Sequence, residues 1–200
     1  MLARVRLMLW VLVGIAALGL AWLALRPPPA PTVQAANELP LASIGGPFTL
    51  VGADGKPFSS AKLAGKPFAI FFGFTHCPDV CPTTLARLTK LRRQLGQSDD
   101  AFNIVFVTVD PERDGPADVG AYSKLFDTPV IGLTGTPAQI EQVKKLFAVF
   151  SAKAPQPGGD YSVDHTASVF LMDRTGKFVA TLAPEESDAV ALAKLKRIAT

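Results

Sequence analysis

The chain has 200 residues, of which 20 are basic and 17 acidic, for a net charge of +3 at pH 7. That length accommodates one domain with a proper core plus a short appendage. Arg4, Arg6 and Arg26 supply the whole excess, so the remainder is balanced and offers no electrostatic footprint for nucleic acid.

The appendage comes first. Leu7 to Leu25 carries no charge and is flanked by Arg6 and Arg26. At a helical rise of about 1.5 Å per residue it spans roughly 28 Å, close to the hydrocarbon thickness of a bilayer. Trp10 and Trp22, the only tryptophans, stand near its two ends, where amphipathic rings prefer the membrane interface. A cleaved signal peptide has a shorter apolar region, about 7–15 residues, followed closely by a small-residue cleavage site. Here the best such site, Val33 and Ala35, lies well past the run, beyond "RPPPAP". Length and flanks therefore predict an uncleaved single-pass anchor over 1–26. The basic excess ahead of it predicts a cytoplasmic N-terminus and an exported remainder. Residues 27–43, which begin with four prolines in five positions, are predicted to be a semi-extended spacer.

The predicted domain covers 44–200. "FTLVGADGKPF" sets two short apolar runs around Asp54-Gly55, a hairpin signal. "KPFAIFFGF", Lys66 to Phe74, is apolar almost throughout and too short for a globular helix, so it predicts a buried central strand. In "PTTLARLTKLRRQLG" the residues Leu85, Leu88, Leu91, Arg92 and Leu95 recur at helical spacing, and Gly96 closes the helix. Phe102 to Asp110 predicts a second buried strand, "DGPADVGAYSKLF" a short helix and "VIGLTG" a third strand. A further helix starts at Thr136 as N-cap with Pro137 behind it, and buries Ile140, Val143, Leu146 and Phe147. "SAKAPQPGGDYSVD" is predicted to be a loop. His165 opens the next strand, and two strands flank a turn at Arg174 to Lys177. The last helix has acids early and bases late, matching its dipole. Helices separating apolar strands predict an α/β layered domain, and a terminal hairpin makes its sheet mixed. This is the thioredoxin pattern, with a hairpin added in front.

Both cysteines lie in "GFTHCPDVCPTT", Gly73 to Thr84. Cys77 follows the predicted central strand and Cys81 precedes the helix, with Pro82 suited to its first turn and biasing Cys81 toward extended backbone. A helix N-terminus stabilises thiolate, which predicts lowered thiol pKa values. Thiolate is the form that attacks disulfides and the form that binds metal. A structural disulfide is the plain reading for an exported domain, but closing so short a loop constrains the unfolded chain little. A redox couple is the second reading, although the spacing is C-x-x-x-C rather than C-x-x-C. The third is a metal site with His165, 84 residues downstream of Cys81. A histidine at a strand start is ordinarily a polar edge residue. Two thiolates and an imidazole, however, form a soft three-coordinate set that suits copper better than magnesium or calcium. Structural zinc wants four ligands, and His76, the immediate neighbour of Cys77, is poorly placed to be the fourth.

"GFTHCPDVCPTT", "VTVDPERD" and "YSVDHTASVFLMDRTGKF" together resemble, in wording and order, the Sco/SenC proteins. The resemblance covers roughly 44–200. It implies a membrane-anchored, thioredoxin-like copper chaperone that helps to metallate the binuclear copper centre of cytochrome c oxidase. It implies copper, as Cu(I) or Cu(II), held by Cys77, Cys81 and His165, with the copper-bearing oxidase subunit as partner and other copper chaperones as further candidates. The setting it implies is a bacterial-type inner membrane with the domain on the periplasmic side. His76 and Asp79 belong to the motif but are not expected to be ligands, and Asp79 is expected to act on the thiols through its charge. "DPERD", Asp110 to Asp114, is expected near the site; from the residues alone it is equally a solvated turn. The alternative function is a thiol–disulfide oxidoreductase in which Cys77 and Cys81 cycle between dithiol and disulfide and His165 is dispensable.

Overall fold

A computed structural model describes residues 44–96 and 101–199, together with Arg6, Trp10 and Trp22. The predicted anchor (1–26) and spacer (27–43) otherwise lie outside the described residues. Among the described residues no helix is long and apolar enough to cross a membrane.

The N-terminal hairpin is present as β1 (Thr49–Gly52) and β2 (Pro57–Ser59), antiparallel and joined through Asp54-Gly55. Then follow β3 (Phe68–Gly73), α1 (Val80–Gln94), β4 (Asn103–Thr108), α2 (Pro116–Ser123), β5 (Val130–Thr134) and α3 (Pro137–Leu146). The chain continues through β6 (Ser151–Pro155), β7 (Tyr161–His165), β8 (Val169–Met172), β9 (Phe178–Leu182) and α4 (Asp188–Ala199). Seven strands form one sheet in the order β2-β1-β5-β4-β3-β8-β9. β3, β4 and β5 run parallel, while β1 and β8 pair antiparallel to their neighbours, so the sheet is mixed as expected.

The centre of this sheet explains its own position. All six residues of β3 are buried, as are five of the six in β4, so both strands belong where two faces are covered. Their phenylalanines make ring contacts on both faces of the sheet: Phe72 meets Phe147 and Phe170 at ring distances of 5.3 and 6.0 Å, and on the other face Phe71 meets Phe106 at 6.5 Å. Burying each such ring contributes about 1.5–3 kcal/mol. Thr136 caps α3 through a reciprocal bond with Gln139, and Pro137 follows it as the sequence requires. Arg92, on the apolar face of α1, is buried; it donates to the carbonyls of Phe102 and Pro129 and so ties the helix to both neighbouring loops.

Three expectations are corrected. Residues 151–164 are not a loop: β6 and β7 make an antiparallel two-stranded sheet of their own, in register from Ser151↔His165 to Pro155↔Tyr161. Only Val163 in it is buried, so no alternating apolar pattern betrays the strands. Gly158 and Gly159, both at positive φ, turn the chain between them. Second, His165 does not open the following strand but ends β7. Third, α1 begins at Val80, so Cys81 lies inside its first turn rather than ahead of it in extended backbone. Pro82 fits there because first-turn N–H groups lack helical partners anyway.

Candidate metal centre

The turn from β3 into α1 places both thiols at the C-terminal end of the central strand. Cys77 lies in the connecting loop, where its N–H donates to the Phe74 carbonyl at 3.3 Å. Cys81 is fully buried, and its own N–H points to Cys77 Sγ at 3.4 Å. Neither cysteine is in a disulfide. His165 arrives from the opposite side, from the end of the β6–β7 hairpin, with Nε2 3.5 Å from Cys81 Sγ.

The three donor atoms, two Sγ and one imidazole nitrogen, all lie within 4.8 Å of one another. Bonds of about 2.0–2.3 Å arranged in a trigonal plane put donors roughly 3.7 Å apart, the same scale. Among the described residues this is the one group of three or more histidine, cysteine or carboxylate side chains so converged. The structure thus brings together Cys77, Cys81 and His165 and leaves His76 out. The His76 side chain is 57 % exposed, with Nδ1 3.5 Å from Asp114 Oδ1. Asp79 is exposed and accepts from the Thr83 hydroxyl at 3.1 Å.

Two features of the surroundings preserve this geometry. Gly73 leaves room for the sulfur: a Cβ there would lie 2.7 Å from Cys81 Sγ and 3.1 Å from the Phe106 ring. His165 is held edge-on against Phe71 and Phe74, at ring distances of 6.0 and 5.9 Å. Its Nδ1 lies 3.1 Å from the Thr166 carbonyl. With the proton on Nδ1, donated to that carbonyl, Nε2 presents its lone pair to the thiols.

The protonation state of Cys81 differs from the expectation of an acidified thiol. Burial pushes the Cys81 thiol well above its ordinary range, outweighing a backbone hydrogen bond from Phe74 that favours thiolate. Desolvation dominates because the sulfur sits within the hydrophobic core. Burial also lowers the His165 pKa, leaving the ring neutral at pH 7. A metal ion would therefore displace a proton from Cys81 but none from His165.

The "DPERD" loop is no solvated turn: Asp110 and Asp114 are 2 % and 0 % exposed. Asp114 accepts from the Thr75 N–H at 2.9 Å, the Thr75 hydroxyl at 2.6 Å and the Thr108 hydroxyl at 2.6 Å. Three donors on one carboxylate fix the loop that leads to Cys77. The sequence signal for this role is the pair of acids bracketing a turn after a buried strand, but Thr75, the partner of Asp114, follows only from the fold.

The chain is similar to known proteins in both sequence and structure. Residues 36–200 match the sequence model of the SCO1/SenC family. The SCO2-like protein of Rickettsia conorii is 37 % identical over 179 residues, covering 88 % of this chain and 87 % of its own length. The structure of Bradyrhizobium japonicum ScoI with copper bound is similar with a TM-score of 0.70 and 46 % identity, covering 78 % of this chain and 99 % of that one. BsSco, described as carrying a disulfide switch and as a member of the Sco family of cytochrome c oxidase assembly proteins, is similar with a TM-score of 0.63 and 26 % identity over 82 % of this chain and 97 % of its own. With a family match over most of its length and a relative more than a third identical across nearly all of it, the chain belongs to the SCO1/SenC family.

Proposed function

We propose that this protein is a copper-binding chaperone for cytochrome c oxidase assembly, carrying copper on Cys77, Cys81 and His165. The observation that supports it most is the convergence of two thiols and one neutral imidazole at the end of β3, a soft set fitted to copper. ScoI of Bradyrhizobium japonicum binds copper, and BsSco belongs to an oxidase-assembly family, which favours the same cargo and destination here. The copper-bearing oxidase subunit is then the recipient, other copper chaperones the donors, and residues 1–26 the anchor that holds the domain on the exported side of a bacterial-type inner membrane. The apolar run Leu7 to Leu25 and its flanking arginines support that placement.

In this reading the chain's own residues do simple chemistry. Cys77 and Cys81 release protons and present thiolates, and His165 supplies a lone pair without losing a proton. Release to the recipient proceeds by exchange of these ligands for the acceptor's. Titration of the reduced full-length protein with Cu(II), followed by sulfur-to-copper charge-transfer absorption, tests it. One equivalent bound with such a band is expected; no bound metal and no band would sink the reading.

A second reading rests on the proximity of the two sulfurs and on the disulfide switch described for BsSco. Here the dithiol reduces the cysteines of an oxidase subunit: two S–H bonds are lost, one S–S bond forms, and two electrons and two protons pass to the partner's disulfide. A disulfide offers no thiolate, so a given molecule performs one role or the other at any moment. Thiol exchange rates on an oxidised partner peptide that are unchanged in His165→Ala favour the redox role.

A further inference from the structure

His165 reaches the thiols on an element that the main sheet does not hold. Among the described residues β6 and β7 pair only with each other, and Val163 is the one buried residue of the two strands. An isolated two-stranded hairpin is marginal in water, so its position over the β3–α1 loop needs another source.

That source is a cluster around Arg113. Its Nη1 donates to the Tyr161 carbonyl at 2.9 Å and to Asp160 Oδ1 at 3.1 Å, at the start of β7. Its guanidinium lies over the Tyr161 ring, 3.7 Å from the ring centre. On the other side Arg113 Nε bonds the buried Asp110 carboxylate, whose second oxygen accepts from the Tyr161 hydroxyl at 2.9 Å. Asp110, Arg113 and Tyr161 thus close a ring of charge-assisted bonds, largely out of solvent, between the "DPERD" loop and the hairpin. Lys153 adds a bond to Glu112, but both are solvent-exposed and contribute little. The same guanidinium lies 6.0 Å from the Phe74 ring centre, and Phe74 in turn meets the His165 ring edge-on.

Taking Cys77, Cys81 and His165 as the copper site proposed above, we infer that Arg113 is a positioning residue for His165: with Asp110 and Tyr161 it latches the β6–β7 hairpin so that the imidazole stays over the two thiols. The "DPERD" loop then serves both halves of the site. Asp114 holds the cysteine loop through Thr75, and Asp110 with Arg113 holds the histidine hairpin.

The test compares full-length wild type with Arg113→Gln and Tyr161→Phe, each also combined with His165→Ala. In the protein with His165, Arg113→Gln lowers Cu(II) affinity by about 10- to 100-fold, the range for residues that orient a metal ligand. In the His165→Ala background the same change moves affinity by less than about 2-fold, because the group it positions is gone. An equal loss in both backgrounds overturns the proposal. A metal-free readout keeps it apart from the copper assignment: amides of 161–165 exchange faster in Arg113→Gln, whereas those of 68–73 and 103–108 do not change. Unaltered exchange at 161–165 overturns the latch whether or not wild type binds copper. Should Arg113→Gln fail to fold, Tyr161→Phe removes only the hydroxyl bond to Asp110. It is expected to accelerate exchange at 161–165 and weaken Cu(II) binding in the presence of His165 alone, and no effect in either measurement likewise overturns the proposal.

Discussion

The cysteine loop and the histidine hairpin bring donors to one point by opposite means. Phe74 to Cys81 grows out of the most buried strand of the domain, and Cys81 shares space with the phenylalanine core. The hairpin from Ser151 to His165 is an appended two-stranded sheet, mostly exposed, held by polar contacts at its start and by ring contacts at its end. Cys81 is therefore positioned by packing that cannot be lost without unfolding, and Cys77 by a loop bonded to the buried Asp114, whereas the imidazole is positioned by contacts that can open locally. Such a division suits a carrier: two fixed soft donors retain the metal, and a third on a separable element completes or relaxes the coordination.

The largest expected effect falls on the fixed half. Cys77→Ser and Cys81→Ser should each lower copper affinity by more than about 100-fold, since even residues behind a ligand cost up to that much. Metal titration checks the loss, and an unchanged far-ultraviolet circular dichroism spectrum shows that the fold survives. If either single variant still bound copper like wild type, the thiol pair would not be the site.

Changing the movable half should separate the two oxidation states. His165→Ala is expected to weaken Cu(II) by about 10- to 100-fold and shift its absorption spectrum, with a smaller change for Cu(I), which two soft thiolates suit. Equal losses for both ions would erase the proposed distinction between fixed and movable donors.

Gly73→Ala strikes the packing of the fixed half without touching a ligand. The added methyl would press on Cys81 Sγ and the Phe106 ring. Overpacking of this kind costs about 1–3 kcal/mol, read as a lowered melting temperature, and the displaced sulfur should weaken copper binding as well. Wild-type stability together with wild-type affinity would show that the sulfur has room to spare.

The last effect is a slope, gentle at each step of pH. Burial keeps the Cys81 thiol protonated at neutral pH, so copper must displace that proton. Affinity should rise with pH by about tenfold per unit for each proton released. His165, with its pKa lowered by burial, adds to the slope only in acid, where its ring begins to protonate and affinity falls further. Titrations between pH 6 and 8 at fixed ionic strength measure it; a flat profile would mean that no thiol proton is displaced.

Much of this was legible along the chain. The all-apolar Phe68 to Gly73 could only be a central strand, the leucine spacing after Pro82 could only be a helix, and C-x-x-x-C between them had to lie at the sheet's C-terminal end. The hairpin was not legible, because Ser151 to Pro155 and Tyr161 to His165 are stabilised by backbone pairing and by contacts with a distant loop rather than by an alternating apolar face. The acidity of Cys81 is hidden for a related reason: the helix terminus is visible in the sequence, but the depth of the sulfur in the core is not.

The sequence by itself determined the order of the main-sheet strands and helices, the family motifs and the identity of two thiols separated by three residues, because periodicity and spacing are properties of neighbours in the chain. Only the tertiary structure decided that His165 meets Cys81 across 84 residues and that Asp114 anchors Thr75. It alone decided, too, that Cys81 lies deep enough for burial to raise its pKa. Those outcomes depend on which distant surfaces exclude water together, and no local pattern records that.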